Sequence, residues 1–179
     1  GMIIGKPGRN ITEANAMKHV FGFTVINDVS AREIQRRHGQ QWFKGKSLDG
    51  HCPMGPWIAT ADEVADPNNL DIRCSVNGVI KQDYNTDDMA HKIPRCIEWM
   101  SQIHDLEPGD ILATGTNHRG LSAFMDGDTV DLECEGMGKL TIKVRDDLKR
   151  TWARETRLER EQKGLKGTTP QLTGKYAKA

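Results

Sequence analysis

The chain has 179 residues, enough for one domain with a substantial core, and its 25 lysines and arginines equal its 25 aspartates and glutamates. A formal charge of zero argues against a nucleic-acid groove or an anionic membrane surface as the main partner. The longest apolar runs have the length of a strand, so no segment is predicted to span a membrane, and the start shows no signal-peptide pattern.

The N-terminal half is predicted to alternate short strands and helices: a strand end at 3–5, a helix over 12–19, a strand over 21–26, a helix over 30–38, an ordered loop over 39–57, a strand over 58–60 and a turn of helix at 61–64. Ser30 and Glu33 have the spacing of a capping box, which places the start of the second helix at Ser30 and its end near His38.

The C-terminal half is predicted to contain a hairpin of strands 70–76 and 79–82, a helix over 94–103, strands at 111–114, 130–134 and 140–144, and a charged exposed helix or partner-bridging arm over 147–166. The dipeptide Asn77-Gly78 between two alternating runs is a strong hairpin signal. Strands outnumber helices, so the fold class is mostly β with short helices (α+β).

Four cysteines lie at scattered positions without a C-x-x-C spacing, which argues against a zinc site: Cys52, Cys74, Cys96 and Cys134. Reduced, mostly buried thiols in a cytoplasmic protein are therefore expected.

Asp28 follows a predicted strand and precedes a predicted helix, a place where proteins commonly display functional groups. Arg32 and Gln35 are three residues apart on that helix and share a face. An arginine fork beside a carboxylate could bind a carboxylate substrate while Asp28 holds a divalent cation. From spacing alone, the simpler interpretation is favoured, in which Asp28 caps the helix and Arg32 is solvated.

Two further stretches carry candidate binding groups. Lys46 stands between glycine and serine in the predicted loop, where it could anchor an anion or donate a proton, or be an ordinary surface lysine. Gly115-Thr116 ends a predicted strand and could hold a substrate oxygen, or form a plain turn. His118 could titrate near neutral pH, although a single histidine is more often structural.

Four segments, in order and spacing, resemble the fumarylacetoacetate hydrolase family: NDVSAREIQ, QWFKGKSLDGHCPMGPW, VNGVIKQDYNTDDM and LEPGDILATGT. The resemblance implies a mixed, strongly twisted β-roll over residues 3–146, usually in homodimers, and leaves 147–179 as a charged C-terminal extension. The apolar residues of the predicted loop, among them Trp42 and Trp57, suggest that region 42–57 contributes to the dimer interface.

The resemblance also assigns roles to five residues. It implies that Asp28 is a metal ligand for Mg²⁺ (or Mn²⁺ or Ca²⁺), that Arg32 and Gln35 contact the substrate, that Lys46 lies beside metal and substrate, and that Thr116 binds a substrate carboxylate or carbonyl. The implied catalytic residues are Lys46, Arg32 and Gln35.

The activity that the resemblance implies is metal-dependent hydrolysis or lysis of C–C bonds in 2-oxo or β-diketo acids, of the acylpyruvate, fumarylacetoacetate or oxaloacetate type. A hard cation would chelate such an acid and stabilise its enolate. Hydrolysis, decarboxylation and isomerisation all pass through that enolate, so the motifs do not choose among them.

The sequence departs from the family pattern at three points. The metal-ligating E-x-E pair that precedes IIGKPGRN in the family is not in this chain, nor is the lid segment with its His/Glu pair, and position 50, often threonine, is Gly50. With Asp28 as its one protein ligand, the cation site is expected to be incomplete and the activity of the chain low. The alternative is a non-catalytic binding or dimerisation protein of the same fold.

Overall fold

The computed structural model describes residues 1–37, 39, 42–167 and 169–177. In chain order its elements are β1 (Met2–Ile4), α1 (Glu13–Ala16), a 3₁₀ turn (Met17–His19), β2 (Val20–Ile26), α2 (Arg32–Arg37), α3 (Trp42–Lys46), β3 (Met54–Thr60), β4 (Asp71–Val76), β5 (Val79–Asn85), a 3₁₀ turn (Thr86–Asp88), α4 (Ile93–Ile103), β6 (Ile111–Leu112), β7 (Thr129–Cys134), β8 (Gly138–Lys143) and α5 (Arg157–Gln162). The predicted fold class, mainly β with short helices, is confirmed.

The strands form two four-stranded sheets, ordered β3-β2-β1-β6 and β5-β4-β7-β8. Each described strand pair is antiparallel, and the hairpin of β4 and β5 turns at Asn77-Gly78 as the sequence predicts. Asn77 and Gly78 both have positive φ, of 51° and 78°, which this tight turn requires. The two sheets contact each other through β2 and β3 of the first and β7 and β8 of the second.

The main apolar core lies beneath the first sheet, where α4 packs beside α1. Ile97 of α4 has no exposed surface, and Met2 of β1 is 1% exposed. Ser101, also fully buried, accepts a hydrogen bond of 2.9 Å from the Ile11 amide, so a polar side chain is satisfied inside this core. This packing fixes β1 and β2, the strands that lead to the candidate site.

Helix α2 begins two residues later than the capping-box spacing of Ser30 and Glu33 predicts. The Ser30 hydroxyl donates back to the Asp28 carbonyl at 3.1 Å, and the Ala31 amide donates to Gly45 of α3 at 2.8 Å. These bonds engage residues 30 and 31 outside the helix. The predicted helix end at His38 lies outside the described residues.

The prediction of an ordered loop over 39–57 was wrong in two parts of that range. It contains α3, and β3 starts at Met54 rather than at residue 58 because Met54 and Gly55 pair with the end of β2. The turn of helix predicted at 61–64 is a non-helical turn. The strand predicted at 111–114 is limited to Ile111–Leu112, since β1 offers it pairing at two residues. Residues 40 and 41 of the predicted loop lie outside the described part of the chain.

Of the two predictions for 147–166, the continuous exposed helix is wrong, because helix is confined to α5 within this segment. The partner-bridging arm stays a prediction. Thr156 starts α5 with a capping box to Glu159. Ahead of it, the backbone around Trp152 pairs with Gln171 in an isolated antiparallel bridge. Lys149 and Arg154 of this segment pair with Asp126 and Asp128 elsewhere in the domain, and such contacts override local helix propensity. None of the helices in the described ranges is long and apolar enough to cross a membrane.

Candidate functional site

Asp28 is held at the end of β2 by the loop that precedes β3. The amides of its neighbours Asn27 and Val29 donate to carbonyls in the 51–53 loop, at 3.1 and 3.0 Å. These bonds tie the backbone on both sides of Asp28 while its side chain stays 45% exposed. The sequence therefore ends a strand with a fixed backbone and an available carboxylate, as the position of Asp28 suggested.

Lys46 is the partner of that carboxylate. It ends α3, and its Nζ donates to Asp28 Oδ2 in an ion pair across 18 positions of sequence. The Lys46 side chain is 23% exposed, so the pair is only partly screened by water. The ammonium carries two more protons that can be donated to a ligand oxygen.

Gln35 lies beneath α3 rather than on the open side of α2. It is 6% exposed, and a Cβ built on Gly45 would come within 2.1 Å of its Cγ. Only a glycine at position 45 allows α3 to approach α2 this closely. The Gln35 Nε2 has no hydrogen-bond partner among the described residues. Its predicted contact with substrate stays a prediction.

Two side chains of β5 hold the side chain of Thr116 in place. Its Oγ1 accepts a hydrogen bond of 2.8 Å from Gln82 Nε2 and lies 3.0 Å from the Tyr84 hydroxyl. Burial raises the pKa of Tyr84, which keeps this phenol protonated at neutral pH and able to donate. When both neighbours donate to Oγ1, the Thr116 proton is free for a ligand oxygen. Gly115 before it has φ +93°, a conformation that favours glycine.

Four of the five predicted residues line one cavity of about 1210 Å³: Asp28, Arg32, Lys46 and Thr116. The cavity lies between the two sheets, with apolar residues of β2, β4 and β7 in its wall. Gln35 does not line it. Arg32 and Gln35 thus differ in environment although they are three residues apart in α2.

His118 also lines this cavity, and its surroundings are cationic. Burial lowers the pKa of His118, and the positive charges of Arg32, Arg157 and Lys46 lower it further. The imidazole is therefore neutral at pH 7. Sequence reasoning identified His118 as a candidate but missed Arg157, whose position in a charged tract gave no local signal.

Gln82 and Tyr84 were also missed as functional residues, although both stand in the segment VNGVIKQDYNTDDM. They are two positions apart in β5, so their side chains project from the same face of the strand toward Thr116. The alternation of the strand could have indicated a shared face, but not the partner 32 to 34 residues away.

The described residues do not by themselves fit a Mg²⁺ site. Among them there is no group of three or more histidine, cysteine, aspartate or glutamate side chains that could hold a metal ion. Asp28 has an oxygen engaged by Lys46, and Mg²⁺ or Ca²⁺ requires several oxygen ligands.

Residues 1–145 match the family described as fumarylacetoacetate (FAA) hydrolase, C-terminal, and the chain belongs to this family. One relative is "Oxaloacetate tautomerase Fahd2a, mitochondrial" of Rattus norvegicus, 46% identical over 150 residues, which are 80% of this chain and 48% of the relative. Another is "4-hydroxyphenylacetate degradation bifunctional isomerase/decarboxylase" of Salmonella dublin, 41% identical over 80% of this chain and 33% of the relative.

Solved structures agree with this assignment. The chain superimposes on 5-carboxymethyl-2-hydroxymuconate delta-isomerase from Mycobacterium smegmatis with a TM-score of 0.76 and 42% identity, over 80% of this chain and 55% of that one. Maleylpyruvate hydrolase from Sphingobium sp. SYK-6 gives a TM-score of 0.73 and 36% identity, over 80% and 51%. The chain spans about half the length of the relatives that it matches.

Proposed function

We propose that this chain is the substrate-binding part of an enzyme that acts on C–C bonds of 2-oxo or β-diketo acids, of the acylpyruvate, fumarylacetoacetate or oxaloacetate type. The observation that supports this most is that Asp28, Arg32, Lys46 and Thr116, from three distant parts of the chain, line one cavity. Relatives named as oxaloacetate tautomerase and as isomerase/decarboxylase support the same substrate class.

The side chains suit an acid that forms an enolate. The Arg32 guanidinium offers a planar fork that matches a carboxylate, and its charge does not vary at physiological pH. Lys46 brings a positive charge to the place where the 2-oxo oxygen becomes an enolate oxygen, and the Thr116 hydroxyl can donate to a neighbouring oxygen. Preorganised donors of this kind stabilise the developing charge without reorganising during the reaction.

His118 suits the proton transfer that enolate chemistry needs. Its lowered pKa leaves the imidazole neutral at pH 7, with one nitrogen able to accept a proton. Removal of a proton from the carbon beside the carbonyl gives the enolate. Delivery of that proton to the enolate oxygen gives the enol, and its return to carbon restores the keto form. Arg32 and Lys46, the cations that lower this pKa, would at the same time hold the anionic product of the proton removal.

Dependence on Mg²⁺ belongs to the proposal and requires ligands beyond the described residues. Gly1 and Thr24 are joined by two backbone hydrogen bonds, of 2.8 and 2.9 Å, in the antiparallel pairing of β1 with β2. A strand continued ahead of Gly1 in the same register would run beside Val25 and Ile26 toward Asp28. Carboxylates on that strand would supply oxygens next to Asp28, where a bound ion would stabilise an enolate.

A test uses the chain extended ahead of Gly1 by the corresponding segment of the Rattus norvegicus relative. The extended protein is expected to turn over oxaloacetate or an acylpyruvate in the presence of Mg²⁺, and Asp28→Ala should abolish the metal-dependent rate. Asp49→Ala, an exposed aspartate that does not line the cavity, is the matched control and should leave the rate unchanged. Mg²⁺ binding without turnover of any acid in a broad panel would contradict the proposal.

A second candidate function is a non-catalytic binding protein of the same fold. The observation that favours it is the lack of a metal-binding cluster among the described residues. Calorimetric titration of both the unextended and the extended chain with Mg²⁺ separates the two. Under the enzyme proposal, tight binding should appear only after extension, whereas a protein retained for binding alone should gain no metal affinity from it.

A further inference from the structure

The segment that follows the matched family region forms a wall of the candidate site. The match ends at residue 145, and the described parts of the remaining segment are 146–167 and 169–177. Several of these residues line the same cavity as Asp28 and Lys46, among them Arg157, Arg160 and Leu165. Nothing in the family assignment gives this C-terminal wall a role.

One buried carboxylate attaches the C-terminal wall to the domain. The Arg154 guanidinium donates two hydrogen bonds of 2.9 Å to the two oxygens of Asp128, whose side chain is 5% exposed. Asp128 also accepts from the Asn77 side chain at 2.8 Å and from the Met125 amide at 2.7 Å. A bidentate pair to a carboxylate that is already oriented by two other donors fixes the direction in which the chain leaves the domain.

Two backbone hydrogen bonds then place Arg157 beside the loop that follows Thr116. The Arg157 amide donates to the Leu121 carbonyl and the Leu158 amide to the Arg119 carbonyl, both at 2.8 Å. The same loop lies against β5, where a Cβ on Gly120 would come within 1.9 Å of the Lys81 carbonyl. Arg157 is therefore held next to a rigid turn.

Arg157 adds a positive charge to a region that already holds Arg32. Both guanidiniums line the cavity that His118 also lines, and both lower the pKa of His118 after the effect of burial. Among the residues that the structure describes, neither guanidinium forms an ion pair with a carboxylate. Two unpaired guanidiniums at one cavity favour an anion, because a ligand carboxylate replaces the missing counter-charge.

We infer that Arg157 of the C-terminal wall, together with Arg32, recognises the second carboxylate of a dicarboxylic 2-oxo acid. The inference rests on the proposed function and narrows its substrate class from 2-oxo acids in general to those with a carboxylate at the far end. Lys46 and Thr116 hold the 2-oxo end, and the wall selects the distal group. A monocarboxylic acid leaves the Arg157 guanidinium without a partner.

The test compares oxaloacetate with 2-oxobutanoate, which share a four-carbon 2-oxo chain and differ in their distal group, a carboxylate against a methyl. Calorimetry on the chain without added metal gives the ratio of the two dissociation constants. Arg157→Gln is expected to raise the dissociation constant of oxaloacetate by about tenfold or more, which is the size of a charge-assisted contact. The dissociation constant of 2-oxobutanoate should stay within about twofold of its value in the unaltered protein. The Arg157→Lys variant should bind oxaloacetate with an affinity between those of the unaltered protein and of Arg157→Gln, because lysine keeps the positive charge but loses the planar guanidinium.

Lys163→Gln is the control, because this substitution also removes one positive charge. Lys163 lies just after α5, the helix that begins with Arg157, and it does not line the cavity. In Lys163→Gln the ratio of the dissociation constants of oxaloacetate and 2-oxobutanoate should equal that of the unaltered protein. An unchanged ratio in Arg157→Gln would overturn the inference alone. Failure of the unaltered protein to bind either acid would overturn the proposed function, and the inference with it.

Discussion

At the scale of single residues, the Asp28–Lys46 ion pair connects the end of β2 with the end of α3. The two side chains are 45% and 23% exposed, so solvent weakens their attraction and the pair adds little to stability. The ion pair matters for geometry, because it holds the Lys46 ammonium at the cavity. The sequence does not predict this contact between Asp28 and Lys46, because the contact depends on how the 51–53 loop returns to β2.

His118 is expected to titrate below its ordinary pKa of 6.5 in the free protein. Burial disfavours the imidazolium, and Arg32, Arg157 and Lys46 repel it. A bound carboxylate adds negative charge and should raise this pKa, so anion binding should take up protons and strengthen as the pH falls toward 6. An NMR titration of the His118 ring nitrogens, with and without oxaloacetate, measures both values. A free-protein pKa above 6.5 would contradict this description.

Gly45→Ala is expected to destabilise the packing of α3 on α2. The added methyl would lie 2.1 Å from Gln35 Cγ and 3.1 Å from the Ala31 carbonyl, so α3 must move and carry Lys46 away from Asp28. We expect a loss of about 1–3 kcal/mol in the free energy of unfolding, typical of overpacking. Chemical denaturation measures it. An unchanged midpoint for Gly45→Ala would refute the close packing.

At the scale of elements, the sequence predicts the parts whose signals are local. The alternation in β4, β7 and β8, the Asn77-Gly78 turn and the apolar stripe of α4 all lie within the elements that they specify. The prediction of a helix over 147–166 failed because tertiary contacts hold part of this segment, among them the pair of Arg154 with Asp128 across 26 residues. At the site, the family motifs identified four cavity residues, whereas Arg157 lies outside them and is brought in by tertiary contacts.

Asp128→Asn is expected to loosen the C-terminal wall. Burial opposes ionisation of Asp128, but donors from Arg154, Asn77 and Met125 outweigh it and lower the pKa of this carboxyl. Its contribution to stability is therefore present above pH 3.8 and is lost as the pH falls through the lowered pKa. We expect a loss of about 2 kcal/mol at pH 7, most of it from the bonds to the buried carboxylate, because Arg154 is half exposed.

Hydrogen exchange at the amides of 157 and 158 should accelerate in the Asp128→Asn variant, since they bond to the 119–121 loop. Asp147→Asn is the matched control, because Asp147 and its partner Arg145 are 76% and 82% exposed. That control should change stability by less than about 0.5 kcal/mol. Equal effects of the two substitutions would show that Asp128 does not anchor the wall.

At the scale of the whole molecule, the surface around α3 and β3 exposes large apolar side chains. Trp42, Phe43 and Trp57 are 60%, 75% and 55% exposed, and Met54 is 46% exposed. We propose that this surface forms a homodimer interface, as region 42–57 was expected to do from the sequence, because aromatic residues are enriched at such interfaces. The interface would adjoin α3 and so support the position of Lys46.

Phe43→Ser is expected to weaken self-association at micromolar concentration, with the monomer fold retained because this ring is mostly outside the core. Sedimentation velocity measures the change, and circular dichroism verifies the fold. Val79→Ser, at a similarly exposed residue on the other sheet, is the control and should leave association unchanged. A monomeric unaltered chain at this concentration would exclude the interface.

We propose that one cavity, with Asp28, Arg32, Lys46 and Thr116 in its wall, binds the 2-oxo acid. A crystal structure with oxalate tests it most directly, because this planar anion presents its oxygens as the enolate of a 2-oxo acid does. We predict oxalate within hydrogen-bond distance of Lys46 Nζ and Thr116 Oγ1, the two groups that hold the 2-oxo end. Oxalate bound elsewhere, or a cavity without oxalate at saturating concentration, would contradict the account.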